Sequence, residues 1–244
     1  FRGDAALLNY IGQDRPDIQQ AANRISRSMA NPTTADQRKV KRAVRYLGGA
    51  ERVVWKFTEW EDDWGRWIDV VVDSDWASGH ERQSTSGGMV LLDGVAVKHW
   101  SRTQKTRALS VGEAEYYALV TGAAEGLGMQ SLAADLGLHV KVRIWTDSTT
   151  GKSIASRRGL GKVRHVELRW LWVQEVVKEG RLTLHKVAGK ENVADHQTKP
   201  IGREEMARMI GKCGGTLKVI SEEATWCRVR SRPSGEGKLS LIHI

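Results

Sequence analysis

The dipeptide Asp93-Gly94 sits between two strand-like runs, 86–92 and 95–101, where it marks a type I′ hairpin. A further strand-like run, 67–74, comes before them. A long helical pattern then occupies about 110–136, and Gly137 suits its C′ position. A strand at 141–146, a short helix after Asp147, a helix near 164–179 stopped by Gly180, a strand at 181–187 and a helix from about 191 complete the series. An antiparallel meander followed by alternating helices and strands predicts an α/β fold. Its core is a mixed five-stranded sheet (three antiparallel strands then two more) with helices packed on it.

The flanking segments read differently. Residues 1–50 predict a small helical segment in two helices. Pro16 and Asp17 open the first, and Asn31-Pro32 breaks the run. Thr34 with Gln37 offers a capping box for the second, and Gly48-Gly49 stops it. Lys39, Lys41, Arg42 and Arg45 lie off its apolar stripe, on a face that is either solvated or contacts phosphate. Residues 51–66 read as a linker, a short strand followed by an acidic loop. Residues 67–200 form the sheet-bearing domain, and 201–244 a helix near 203–211 plus a poorly ordered tail beyond Cys213.

The formal charge of +9 over 244 residues favours a polyanionic partner. Two cysteines, Cys213 and Cys227, exclude a zinc ribbon and argue against a disulfide scaffold. No run is long and apolar enough to span a bilayer, so no membrane partner is expected. The chain starts at Phe1 without a signal peptide and is read as a fragment of something longer.

Against that positive background, four carboxylates lie where strand ends meet helices. Asp73 ends the first strand run, Glu115 opens the long helix, Asp147 ends the 141–146 run, and Asp195 follows the last strand. Ligands of open α/β sheets bind at such strand ends, and hard divalent ions want such oxygens. Asp73 and Asp75 share strand parity, so sheet geometry does not choose between them. Glu113 and Glu115 differ by about 200° around a helix and cannot both point inward. Glu115 shares its face with Ala118, Leu119 and Gly122, small residues that admit close approach to a sheet, which favours it. Taken alone, Asp147 reads equally well as a helix N-cap, and Asp195 as an ordinary surface acid.

The ordered stretches Asp73-Ser74-Asp75-Trp76-Ala77, Ser84-Thr85-Ser86-Gly87, Gln104-Lys105-Thr106, Leu109-Ser110, Glu113-Ala114-Glu115-Tyr116, Thr146-Asp147-Ser148, Arg164-His165 and Ala194-Asp195-His196-Gln197-Thr198-Lys199-Pro200 narrow the reading. Over about 67–200 the series resembles the ribonuclease H domain of copia-type LTR-retrotransposon polyproteins. Arg15-Pro16-Asp17-Ile18 and Arg42-Ala43-Val44-Arg45-Tyr46-Leu47 resemble the C-terminal end of the reverse transcriptase region before it, without a Tyr-x-Asp-Asp polymerase motif.

The resemblance implies a ribonuclease H-like fold with Asp73, Glu115, Asp147 and Asp195 as catalytic and metal-binding acids. It implies hydrolysis of the RNA strand of RNA–DNA hybrids during reverse transcription, and the upstream reverse transcriptase domain as a partner. An intracellular location, in a cytoplasmic particle, is also implied. Two Mg²⁺ ions, or Mn²⁺ in their place, would serve the acids, with Asp73 bridging, Glu115 and Asp147 holding one ion and Asp195 the other. Arg82, Lys98, Arg102, Lys105 and Arg107 are candidates for backbone contact, Ser84, Thr85 and Ser86 for phosphate oxygens, and Arg164 and His165 for the hybrid near the site. The loop before the last acid, Val187-Ala188-Gly189-Lys190-Glu191, lacks the histidine usual in the family, and His196 is the expected partial substitute. The competing readings are a catalytically inactive hybrid-binding remnant and a DNA-strand transferase on the same sheet.

Overall fold

The computed structural model describes residues 1–57, 67–78, 82–161 and 165–219. Three helices come first: α1 (Arg2–Ile11), α2 (Pro16–Ser26) and α3 (Thr34–Gly49). The sequence predicts two, because α1 buries only Ala5 and Leu8 and has no side-chain cap. The cap of α3 also differs from expectation. Thr33 is the N-cap, and its hydroxyl and backbone exchange hydrogen bonds with Asp36, which leaves Thr34 and Gln37 outside the box. Ala5, Leu8, Ile18, Ala22, Ile25, Val40 and Ala43 form one apolar cluster among the three helices. A polar knot fixes its exit. Arg15 grips Asp17 with two donors at 2.9 and 2.7 Å and donates to the carbonyls of Ala50 and Glu51. Tyr46 donates to the same carboxylate at 2.8 Å. The residues carrying the resemblance in this segment therefore include its structural clamp.

β1 (Ala50–Trp55) follows and pairs antiparallel with β7 (Gly215–Val219). Residues 215–219 are thus ordered as a strand where irregular chain is expected. With five residues and glycines before it, the segment is too short to show a period in sequence.

The main sheet contains β2 (Trp67–Asp75), β3 (Thr85–Leu92), β4 (Val95–Thr103), β5 (Lys141–Thr146) and β6 (Leu182–Lys186), in the order β4-β3-β2-β5-β6. β2, β3 and β4 are antiparallel, and β5 and β6 continue parallel to β2. This is the predicted mixed sheet. Asp93 and Gly94 adopt φ of 51° and 77°, as a type I′ turn requires. α4 (Val111–Asp135) ends before Gly137, whose φ is 79°. α5 (Thr149–Ser156) and α6 (Trp172–Lys178) share its side of the sheet. The predicted 164–179 helix is shorter than expected, a single 3-10 turn at Leu168–Trp170 and then α6. The predicted helix from 191 is two 3-10 turns, Gly189–Glu191 and Val193–Gln197, and α7 (Arg203–Lys212) follows.

Alternation along β2 splits the core. Ile68, Val70 and Val72 meet α4, whereas Val71 faces Val193, Ala194 and Met209 on the opposite side. α2 joins that second side. Asn23 donates to Ser101 at 3.1 Å, and Arg27 donates to the hydroxyls of Thr103 and Thr85 at 2.6 and 2.7 Å.

Candidate metal centre and its surroundings

Parallel pairing sets Val72 opposite Thr146, so Asp73 and Asp147 emerge side by side at adjacent strand ends. Glu115 comes from α4, which lies unusually close to the sheet. A Cβ at Gly122 would stand 2.4 Å from Val72 Cγ1, and one at Gly126 would stand 2.9 Å from Val70 Cγ2. No larger residue permits that distance. Carboxylate oxygens of Asp73, Glu115 and Asp147 all lie within 4.8 Å of one another.

The neighbouring alternatives go elsewhere. Glu113, also buried, accepts from the Leu109 backbone at 2.9 Å, Tyr117 at 2.7 Å and His165 Nε2 at 2.8 Å. It braces the start of α4. Asp147 is not the N-cap of α5, because Ser148 takes that role by accepting from Gly151 N at 3.0 Å. The Asp147 carboxylate is left for the centre. Lys186 meanwhile donates to the Asp147 carbonyl.

Like charges in a buried place resist ionisation. Burial first, opposed by Lys199 and Thr198, pushes Asp73 up to about 7. Burial and the Asp73 charge push Glu115 up to about 8. Glu115 is 7 % exposed, and its Oε2 makes no hydrogen bond among the described residues. A buried carboxylate oxygen without a donor is costly unless a cation meets it. The donor set is all oxygen, which suits Mg²⁺ or Mn²⁺ rather than a soft metal.

Asp195 lies outside that group of three. It belongs to the Val193–Gln197 turn, and its carboxylate receives Lys199 Nζ at 2.6 Å. The same ammonium lies 3.8 Å from Asp73 Oδ2. The turn is pinned to β2 by Asn192, fully buried, which donates to the Val72 carbonyl at 3.1 Å. Thr198 donates to Asp73 and to the Asp195 carbonyl. Gly87 lets the turn settle on β3, since a Cβ there would stand 2.6 Å from Thr198 Cγ2. Sequence reasoning gave no role to Asn192, Thr198, Lys199 or Gly87. The motif stretches at 84–87 and 194–200 contained the last three, but nothing in those stretches says which residue faces the acids.

His196 does not substitute for the absent loop histidine. It is fully buried, its Nε2 accepts from the Gln197 amide at 2.7 Å, and burial lowers it to about 4. Gln197 in turn donates to the Pro16 carbonyl at 3.0 Å. His196 therefore belongs to the joint between sheet and helical segment.

The expected nucleic-acid contacts divide. Ser84, Thr85 and Ser86 are buried, and their hydroxyls accept from Ala77 N, Arg27 and Gln104 respectively. As placed, they present nothing to a phosphate arriving from solvent. Their residue type suits phosphate binding, but both faces of β3 are covered here, Thr85 meeting Arg27 of α2 on one and Ser86 meeting Gln104 beside α4 on the other. Lys98 and Arg102 share the Glu125 carboxylate at 2.6 and 2.7 Å. Arg82, Lys105 and Arg107 are exposed. Lys105 lines a groove of about 340 Å³ together with Arg102, Arg169, Trp170 and Trp172. His165 is held by Glu113 with its side chain about half exposed. Arg164 lies outside the described residues.

No family model matches the chain. It is 29% identical over 212 residues to "Retrovirus-related Pol polyprotein from transposon TNT 1-94" of Nicotiana tabacum, a match covering 82% of this chain and 15% of that one. It is 28% identical over 241 residues to the corresponding polyprotein from transposon RE2 of Arabidopsis thaliana, covering 90% of this chain and 16% of that one. The chain thus spans about one sixth of the length of these curated relatives. Among solved structures it is similar to LC11-RNase H1 isolated from compost, at 18% identity and a TM-score of 0.40, over 55% of this chain and 93% of that one. No helix among the described residues is long and apolar enough to cross a membrane.

Proposed function

We propose that this chain, a copia-type retrotransposon polyprotein fragment with a ribonuclease H-like fold, is a metal-dependent endonuclease that hydrolyses the RNA strand of RNA–DNA hybrids. The observation that carries the reading is the convergence of Asp73, Glu115 and Asp147 from three separate elements to within 4.8 Å. These three would hold Mg²⁺, with Mn²⁺ as an alternative. A bound divalent ion supplies Lewis acidity at the scissile phosphate and lowers the pKa of a coordinated water.

The chain's own residues do the rest. Thr198 fixes one oxygen of Asp73 by hydrogen bonding. Burial of Asp73 and Glu115 keeps competing water away from the carboxylates. Arg82, Lys105 and Arg107 grip the phosphate backbone by charge, so binding falls steeply with salt. His165, oriented by Glu113, offers its outer ring edge to the hybrid close to the start of α4. The exposed face of α3, carrying Arg38, Lys41, Arg42 and Arg45, extends the positive surface. The upstream reverse transcriptase region of the same polyprotein is the natural partner. The RNA 2′-hydroxyl is the group by which RNA is distinguished from DNA.

The test is cleavage of a labelled RNA–DNA hybrid with Mg²⁺, beside duplex DNA of the same sequence. Loss of the RNA strand alone is expected, and Asp147→Asn is expected to abolish it. Cleavage unchanged in Asp147→Asn would overturn the assignment. A hybrid that binds and is never cut would instead identify an inactive remnant.

A further inference from the structure

The motif stretch at 73–77 contains a large side chain that the acid centre does not use. Trp76 follows the last residue of β2 and is 42 % exposed, although its surroundings hold it in place. Its Nε1–H donates to the Ala108 carbonyl at 3.0 Å. The same peptide unit turns its N–H, that of Leu109, to Glu113 Oε2 at 2.9 Å. The indole is thereby tied to the start of α4, where Glu113 stands two residues before Glu115. Its backbone continues the strand that carries Asp73, three residues earlier. Ala77 turns the chain with a φ of 52°, and its N–H donates to the buried Ser84 hydroxyl at 3.2 Å. Arg24 of α2 donates to the Ser78 carbonyl at 3.3 Å. Trp76 therefore bridges the two elements that bring Asp73 and Glu115 together. The bond to Ala108 uses only the N–H edge of the ring. A latch of that kind needs a donor, not a large apolar face left in water. Leu109 and Val111 are 68 % and 53 % exposed, and the 105–109 segment also exposes Lys105 and Arg107. Apolar side chains flanked by cations suit a wide, shallow minor groove, where sugars and base edges meet the first and phosphates the second.

We propose that Trp76 is a substrate-contacting residue, whose indole packs on the sugars of the RNA–DNA hybrid close to the scissile phosphate and, with Leu109, fixes where along the RNA strand the cut falls. The proposal rests on the nuclease reading and deepens it. Three residues of chain reach at most about 11 Å, or roughly three nucleotide steps, so the contact lies within that distance of the acids. Because the ring is fastened to both β2 and α4, a duplex seated on it is set in register with Asp73 and Glu115 at once. A protein partner is the weaker fit, since three exposed apolar side chains fall far short of the roughly 800 Å² that each partner of a stable interface buries.

Cut positions are mapped on an end-labelled RNA strand of the hybrid, with Mg²⁺, for the whole chain as wild type, Trp76→Phe, Trp76→Ala and Leu109→Ser. Trp76→Ala is expected to raise KM on the order of tenfold, to change kcat by less than about threefold, and to spread the cuts over neighbouring phosphates. Trp76→Phe keeps a flat apolar face and loses the donor, so it should recover the wild-type cut pattern and most of the affinity. Leu109→Ser, at an exposed position compatible with folding, should move KM and the pattern in the direction of Trp76→Ala. A role confined to folding would lower the melting temperature without moving the cuts. Binding is read separately by fluorescence anisotropy of a labelled hybrid in the Asp147→Asn background, where Trp76→Ala should weaken affinity by the same factor. Unmoved cuts and KM in Trp76→Ala would overturn the contact, and where that variant does not fold, the same result in Leu109→Ser overturns it. Equal defects in Trp76→Phe and Trp76→Ala would also overturn it, because the bond to Ala108 would then be the whole of the residue's role. A wild type that binds the hybrid and never cuts it would sink the nuclease reading instead, and the anisotropy comparison would still decide the contact.

Discussion

Asp73 and Glu115 are held above the usual carboxylate range by burial first, with the charges of Asp195 and Asp147 adding at Asp73 and those of Asp73 and Asp147 at Glu115. A carboxyl raised on folding binds more protons folded than unfolded between its two pKa values, so it destabilises the fold as pH rises through that window. In chelator, the melting temperature should therefore fall between about pH 4 and pH 8, most steeply near the middle of that window, and level off above it. Millimolar Mg²⁺ should restore it at pH 8, where both carboxylates can be ionised and coordinated. Asp73→Asn should melt higher than wild type at pH 8 in chelator while losing cleavage, because it removes a buried charge but keeps an acceptor for Thr198. An unaltered melting temperature across that range would show that burial does not raise the two acids as drawn. Local signals in sequence favoured Glu115 over Glu113 but left Asp73 open against Asp75 and Asp147 open as an N-cap, and it was the resemblance that singled out the three acids found together. Lys199 and Thr198 carried no such signal, because they follow a 3-10 turn of five residues and lie in no element whose period could reveal which side chain faces inward.

Among the elements, the contact of α4 with β2 decides whether Glu115 reaches the centre. Gly122→Ala places a methyl 2.4 Å from Val72 Cγ1, and overpacking of this kind costs on the order of 1–3 kcal/mol. Urea denaturation should show that loss, and Mn²⁺ affinity should fall with it as the helix lifts from the strand. Gly128, on the same helix, has nothing within 4 Å of its Cβ position and is exposed. Gly128→Ala should stabilise by about 0.5–1 kcal/mol and leave ion binding unaltered. The succession of the five strands and the Asp93-Gly94 turn were readable because period and turn chemistry are local. β7 was not, since it is five residues long and pairs with β1 far back in the chain, and α1 was not, since it buries only Ala5 and Leu8.

At the scale of the whole molecule, the helical segment is bound to the sheet by directed polar contacts rather than by a broad apolar seam. Arg27 serves two strand hydroxyls, Asn23 a third, and Pro16 accepts from Gln197. Removing residues 1–49 would strip these partners from buried groups, each left unpaired at about 1–3 kcal/mol. The shortened chain should lose cooperative melting by circular dichroism, and a sharp transition at the wild-type temperature would refute the dependence. This arrangement was invisible in sequence, where Arg15, Asp17, Gln197 and Thr198 look like motif residues with no indication that they join two parts of the chain. Gln197 and Thr198 are consecutive, yet one holds the carbonyl of Pro16 and the other a carboxylate of the metal centre. A displacement of the first helices therefore has a path only two residues long to the Asp73 carboxylate.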